Sequence, residues 1–245
     1  MLLRTRGIVI HTRKYGETSV ISDIFTEARG LHGFIAGGVR TPKARMPYSL
    51  FQPMTVVELV CYFRDSPPRL NRLKEIRAAL VFQRIPFDIH RGAVALFMAE
   101  VCRKILHEGE ENPALFAFIE EYLRWLDQTE YPIANLHLHF LLHVSHHLGF
   151  QIAPIEATPV FFDIQEGIFR TTPPDHPLRL DVQVSTHMQQ LLHYPLQRCH
   201  ELNISKLERR TLLDGLLLFY RLRIPGFHTV HTPAILDMVL SKMEN

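Results

Sequence analysis

Phe51-Gln-Pro-Met-Thr-Val-Val-Glu-Leu-Val-Cys-Tyr-Phe63 decides the fold of the first third of this chain. Its dense run of β-branched and aromatic residues is the strongest strand signal in the sequence. Upstream, Leu3–Thr12 is also rich in β-branched residues and partly alternates. A Tyr15-Gly16 turn then leads to a strand over Thr18–Thr26, and an Arg29-Gly30 turn leads to Leu31–Ala36. Gly37-Gly38 permits a bend or bulge. Residues 40–49 form a basic loop broken by two prolines. Downstream, Asp65–Pro68 turns and Arg69–Ile76 adds a fifth strand with Leu70 on one face. Short strands at near-regular spacing predict a small closed barrel over 1–80, and the five-stranded OB-fold is the leading candidate.

From Asp88 the period changes. Ala93, Leu96, Phe97, Val101 and Ile105 recur at helical spacing. Asn112-Pro113 starts a second helix, with Asn as cap and Pro at its first position. That helix carries Leu115, Phe118, Ile119, Tyr122, Leu123 and Leu126. A third is expected from about Ile133 to Leu148, stopping at Gly149. Residues 150–180 contain five prolines and two short strand signals, Val160–Ile164 and Ile168–Arg170. Helices then follow over Val182–Tyr194, from Ser205 with Glu208 completing a capping box, and over Pro233–Met243. The class is α+β: a barrel over 1–80, then a helical domain over 81–245 with a small irregular β insertion at about 158–171.

Charge divides in the same way. Residues 1–80 hold 13 Lys/Arg against 6 Asp/Glu, a balance of +7, while 81–245 hold 14 against 19, a balance of −5. One half is built to meet a polyanion and the other is not. Cys61, Cys102 and Cys199 have neither metal nor disulfide-motif spacing and are expected to be reduced core residues of a cytosolic protein. The Met1–Arg6 opening has no signal-peptide core, and no apolar run approaches the ~18 residues of a membrane span.

Two residue clusters could carry function. Arg4, Arg6, Arg13, Lys14, Arg29, Arg40, Lys43 and Arg45 lie among Tyr15, Phe34, Tyr48 and Phe51. Cations can follow a phosphate backbone while flat rings stack on bases, although each ring also suits the barrel core. The second cluster is His137-Leu-His139-Phe-Leu-Leu-His143-Val-Ser-His146-His147. His139, His143 and His146 (or His147) share a helix face that could hold a metal, but the surrounding leucines suit a packed helix equally well. Dinucleotide, Walker A and nucleophile-elbow motifs are absent, which argues against an enzyme.

These stretches together resemble the bacterial RecO family. The resemblance is carried by Gly7-Ile-Val-Ile, Tyr15-Gly-Glu-Thr18, Phe25-Thr26 and Gly30, then by Gly37-Gly-Val-Arg-Thr-Pro-Lys43 with Arg45 and by Phe51-Gln-Pro-Met-Thr-Val-Val-Glu-Leu59. Phe97-Met-Ala-Glu100-Val and Asn112-Pro-Ala-Leu-Phe116 extend it to about residue 125, and beyond 150 it rests on length and helix order. It implies an OB-fold followed by a helical domain. It also implies a cytoplasmic, nucleoid-associated recombination mediator without cofactor or catalysis. Such a protein binds ssDNA and dsDNA, promotes strand annealing, and with RecR helps to replace SSB by RecA while binding the SSB C-terminal tail. Carried over by position, the DNA-facing residues are Lys14, Arg29, Arg40, Lys43 and Arg45. A pocket for the SSB tail would combine a cation with an apolar floor, and Arg124, Arg209 and Arg210 are the candidates.

The chain departs from the family pattern after Leu148-Gly149, where many members carry a four-cysteine zinc site. Here that segment has no cysteine, so no zinc is expected and short strands around Asp163–Phe169 stand in its place. The closing Ile224-Pro-Gly-Phe-His-Thr-Val is less basic than usual, which weakens any expectation of DNA contact from the helical domain. An RNA-binding OB protein, a protein-only adaptor and a metal hydrolase at the His139 face stay open as alternatives.

Overall fold

The computed structural model describes residues 1–41, 44–64, 70–156, 158 and 160–240. The expected turn at Asp65–Pro68 lies outside them, as does Lys43. The chain forms two compact units, Met1–Phe87 with Met98–Asp127, and Asp88–Phe97 with Gln128–Asn245.

In the first unit β1 (Leu2–Tyr15), β2 (Ser19–Thr26), β3 (Gly30–Ala36), β4 (Val56–Tyr62) and β5 (Leu70–Ala78) close into a barrel. Its order is β1-β2-β3-β5-β4, antiparallel except for the β3–β5 seam, and this is the OB-fold. The 14-residue β1 serves two neighbours, pairing Leu2–Ile8 with β4 and Gly7–Tyr15 with β2. A register shift between Val9 and His11 bends it from one to the other. Val9, Val20, Ile24, Phe34, Val57, Leu59, Leu73 and Ile76 fill the interior, and Phe51 joins them from a 3-10 turn over Tyr48–Phe51. Strand β4 thus starts at Val56, later than its sequence signal suggests, because Phe51 enters the core from a turn.

Helix α2 (Pro113–Gln128) and the second half of α1 (Ile89–Ile105) belong to this unit. Asn112 Oδ1 accepts from Leu115 N at 2.9 Å, the cap that the Asn-Pro pair predicts. Leu115, Phe116, Ile119, Tyr122, Leu123 and Leu126 form a buried stripe. Phe116 meets Phe25 at 5.9 Å between ring centres. Ile8 pairs with Phe25 on the same outer barrel face and is wholly buried. The Asp127 carboxylate accepts the backbone N–H groups of Gln83, Arg84 and Ile85 at 2.8–2.9 Å, which ties the segment after the barrel to the end of α2.

In the second unit α3 (Leu136–Val144) is buried nearly all round and forms the centre. It starts three residues later than expected and passes into a 3-10 turn, Ser145–Leu148, that ends at Gly149 in the left-handed region. Helices α4 (Val182–His193), α5 (Lys206–Arg223) and α6 (Thr232–Leu240) follow, and α5 opens on the predicted Ser205/Glu208 capping box. A 3-10 segment over Leu196–Glu201 carries no periodic signal in the sequence. The β insertion is a sheet of β6 (Phe161–Asp163), β7 (Ile168–Arg170) and the two-residue β8 (Arg179–Leu180), which is too short to leave a sequence signature. The buried Asp163 carboxylate braces it, accepting from Glu166 N and Arg170 Nε at 2.9 Å and lying 3.4 Å from His176. All three cysteines are free and buried, and burial pushes Cys61 up to about 11 and Cys199 to about 12.

His137 and His139 are packed inside the second unit. Burial lowers both to about 3, reinforced at His137 by the charge of Arg209 and at His139 by His143. Each is therefore neutral in the fold and takes up a proton readily only when unfolded. A depressed folded pKa gives stability that is complete above about 6.5 and lost as pH falls toward 3. Each histidine should cost about 2 kcal/mol between pH 7 and pH 5. Urea titrations of wild type and His137→Leu check this, and the variant should lose about 2 kcal/mol less over that interval.

Candidate nucleic-acid interface

The outer face of β1 and β2 is occupied by the unit's own helices. Beside the Phe25–Phe116 contact, Arg6 donates through Nε and Nη2 to Glu27 at 2.9 Å and through Nη1 to Glu120 at 2.8 Å. Glu120 is buried and also accepts from Arg124. The hydrogen bond to Glu27 raises Arg6 above the ordinary arginine value, and Glu27 is lowered in turn. At the β2–β3 turn Gly30 has a φ of +69°, and a Cβ there would collide with the Glu110 carbonyl. The strand 2–3 face that OB-folds often offer to ligands is thus partly covered from within the unit.

The sequence-selected cations separate accordingly. Arg29 Nη1 donates to Glu111 at 2.8 Å, and its guanidinium lies 5.9 Å from the Phe63 ring centre. Lys14, Arg40 and Arg45 are exposed and form no ion pair among the described residues. Lys14 is at the free end of β1 beside Tyr15, and Arg40 N donates to Thr18 O at 3.1 Å. That bond joins the basic loop to the β1–β2 turn. Of the aromatics read with these cations, Phe34 and Phe51 are core, whereas Tyr15 and Tyr48, near Lys14 and Arg45 in sequence, are exposed.

A second group was not selected from the sequence. Leu70, Arg72 and Lys74 alternate outward on β5, while Asn71 and Leu73 point in. Arg72 pairs across the ladder with Tyr62, a residue 51% exposed. Arg64 follows at the end of β4, where its backbone N–H donates to Asn71 Oδ1 at 2.9 Å. These residues line a cleft of about 960 Å³ with Gly37 and Met46. Met46 follows Arg45, so the basic loop runs directly into the cleft wall. The available signal was the alternation of Leu70, Arg72 and Lys74 opposite Tyr62, which requires the β4–β5 register to be recognised.

The histidine face is absorbed by packing. The rings of His139 and His143 are 4.1 Å apart, with Nε2 of His139 2.8 Å from Tyr194 O and that of His143 3.5 Å from Leu191 O. His146 meets Gln151 at 2.9 Å. Among the candidate tail cations, Arg124 is held by Glu120. Arg209 and Arg210 line a groove with Lys206 on α5, against Leu213, Leu236 and Leu240, and Asp237 in the same groove lies 3.5 Å from Arg210.

Two family models divide the chain. Recombination protein O N terminal matches residues 1–81, and Recombination protein O C terminal matches residues 86–230. The chain belongs to the RecO family. It is 32% identical to the DNA repair protein RecO of Phocaeicola vulgatus over 242 residues, covering 98% of this chain and 100% of that protein. It is 32% identical to the protein of the same name from Bacteroides fragilis strain ATCC 25285 over 230 residues, 93% of this chain and 94% of the relative. The Flavobacterium psychrophilum protein is 30% identical over 243 residues, with 98% and 100% covered. Among the described residues no helix is long and apolar enough to cross a membrane.

Because Glu111 already neutralises Arg29, the five sequence-selected cations should differ in effect. Arg29→Ala should change oligonucleotide affinity by less than about twofold, while Arg40→Ala should weaken it by several-fold. Fluorescence polarisation at low salt measures both.

Proposed function

We propose that this chain is a DNA-repair protein that acts as a non-enzymatic recombination mediator. The barrel, residues 1–80, carries the DNA, and the helical part, 81–245, recruits proteins. The observation that supports this most is the exposed set of Lys14, Arg40 and Arg45 on an OB barrel, without ion pairs among the described residues, in a chain whose relatives are named for DNA repair. Lys43 belongs to the same loop by sequence, and Arg29 contributes least of the five. Such cations displace counterions from phosphates without reading sequence, so the barrel holds single or double strands and brings complementary strands together. No bond is made or broken. With RecR the chain helps to load RecA where SSB covers single strands, in the cytoplasm at the nucleoid.

For the SSB tail, an acidic peptide with an apolar end, the α5–α6 groove offers the right chemistry. Lys206 and Arg209 provide the charge, Arg210 being held by Asp237 at 3.5 Å, and Leu213, Leu236 and Leu240 provide the floor. A labelled acidic peptide ending in an apolar residue should bind wild type, and Lys206→Ala should weaken it by about fivefold, with Arg210→Ala having less effect because Asp237 already pairs with it. Unchanged affinity would place that contact elsewhere.

For DNA, the decisive test is a labelled single-stranded oligonucleotide titrated across a salt series. Arg40→Ala/Lys43→Ala/Arg45→Ala should bind more weakly, and its slope of log affinity against log salt should be shallower by about 2. Equal binding by both proteins would move the phosphate-contacting surface away from the loop. Absence of binding by wild type would leave the protein-only adaptor. Preference for RNA in competition would favour an RNA-binding role.

A further inference from the structure

The cleft at the β4–β5 end has the chemistry of a site for an unstacked base. Its wall presents one exposed aromatic ring, Tyr62, beside an apolar step made by Leu70 and Met46. Arg64, Arg72 and Lys74 line the same cleft, with Arg72 the ladder partner of Tyr62. Arg64 and Arg72 form no ion pair among the described residues, and Lys74 has only Glu75 at 3.8 Å. The two ladder partners of Tyr62 are Leu2 and Arg72, neither of them aromatic, and Tyr62 is exposed. Its volume of about 960 Å³ is within the range of ordinary ligand sites, roughly 300–1,000 Å³.

We propose that this cleft is a single-strand clamp, in which one base of single-stranded DNA stacks on Tyr62 while the flanking phosphates meet Arg64, Arg72 and Lys74. This rests on the reading of the barrel as a nucleic-acid binder and adds where that barrel distinguishes single from double strands. Charge complementarity selects the occupant, since three cations line the cleft and only Lys74 has a carboxylate near it, Glu75 at 3.8 Å, among the described residues, which calls for a polyanion. The lone ring then selects the form of polyanion. Duplex bases are stacked on one another and offer no free face, whereas single-strand bases do. The clamp continues the basic loop, because Met46 forms part of its wall. A strand following the loop cations therefore arrives at Tyr62.

The experiment compares wild type, Tyr62→Ala, Tyr62→Phe and Arg72→Ala/Lys74→Ala, using an oligothymidylate and a duplex of equal length. Tyr62→Ala should lose roughly 5- to 150-fold in single-strand affinity with an unchanged salt slope. Tyr62→Phe should stay within about twofold of wild type, and duplex affinity should be unmoved by either change at Tyr62. Arg72→Ala/Lys74→Ala should make the single-strand slope shallower by about 1.4. A Tyr62→Trp variant gives a direct reading, since its fluorescence should be quenched by the oligomer beyond the response of Trp125 in wild type. Single-strand binding by Tyr62→Ala equal to wild type, with the loop variant impaired, would overturn the clamp and leave the barrel's DNA role standing. An equal loss for duplex would overturn it too, making Tyr62 a support for the fold. No binding of any nucleic acid by wild type would remove both readings together.

Discussion

The seam between the outer face of β1–β2 and helix α2 is the constraint on which the first unit depends. A barrel of this size has little interior volume, and its outer strands carry apolar residues such as Ile8 and Phe25 that need cover. Phe116 and its stripe provide that cover, and the Glu27–Arg6–Glu120–Arg124 chain fixes its orientation. Glu120 is buried, so its charge is tolerable only because two guanidinium groups reach it. Gly30 and Asp127 complete the attachment, one by permitting close backbone approach and the other by accepting three backbone donors.

This attachment has a consequence for chemistry. Two of the N-terminal arginines that raise the charge of the barrel, Arg6 and Arg29, are directed into ion pairs with acidic partners, and Arg77 is joined to Glu58. The positive surface left over is displaced from the helix-covered face toward the β1–β2 turn, the loop that follows β3, and the β4–β5 end. The Arg40–Thr18 bond ties the loop to the β1–β2 turn, and Met46, next to Arg45, lines the cleft at the β4–β5 end. Electrostatics within the unit thus decides which cations remain available to a polyanion.

The second unit shows how histidine-rich sequence is used without chemistry. Fifteen histidines are present, and the densest run forms the central helix. Neutral imidazole fits there as a medium-sized polar ring that can satisfy a carbonyl, as His139 does at Tyr194. The β insertion follows similar logic. A buried aspartate bridging Arg170 and the backbone of Glu166 gives the small sheet a polar anchor, and the Arg223 guanidinium lies 3.9 Å over Phe219 beside it.

Local patterning alone determined the elements that repeat or announce their ends. The dense β-branched run around Val56–Tyr62, the Asn112-Pro113 start and the Ser205/Glu208 box each carry their cause within a few residues. The charge division and the family stretches likewise point to an OB barrel and a polyanion. The 3-10 segment at Leu196–Glu201 and the strand Arg179–Leu180 were not legible, because they are too short for a period and form against distant partners. The candidate site was legible only as a set of cations. Which of them is neutralised depends on carboxylates about 80–115 residues away in sequence, as Glu111 is from Arg29 and Glu120 from Arg6. Tyr62 and Arg72 become neighbours only through β-pairing, so sequence distance gave no sign of the cleft. Residue type and spacing fix what a side chain can do, and tertiary packing decides which side chains remain free to do it.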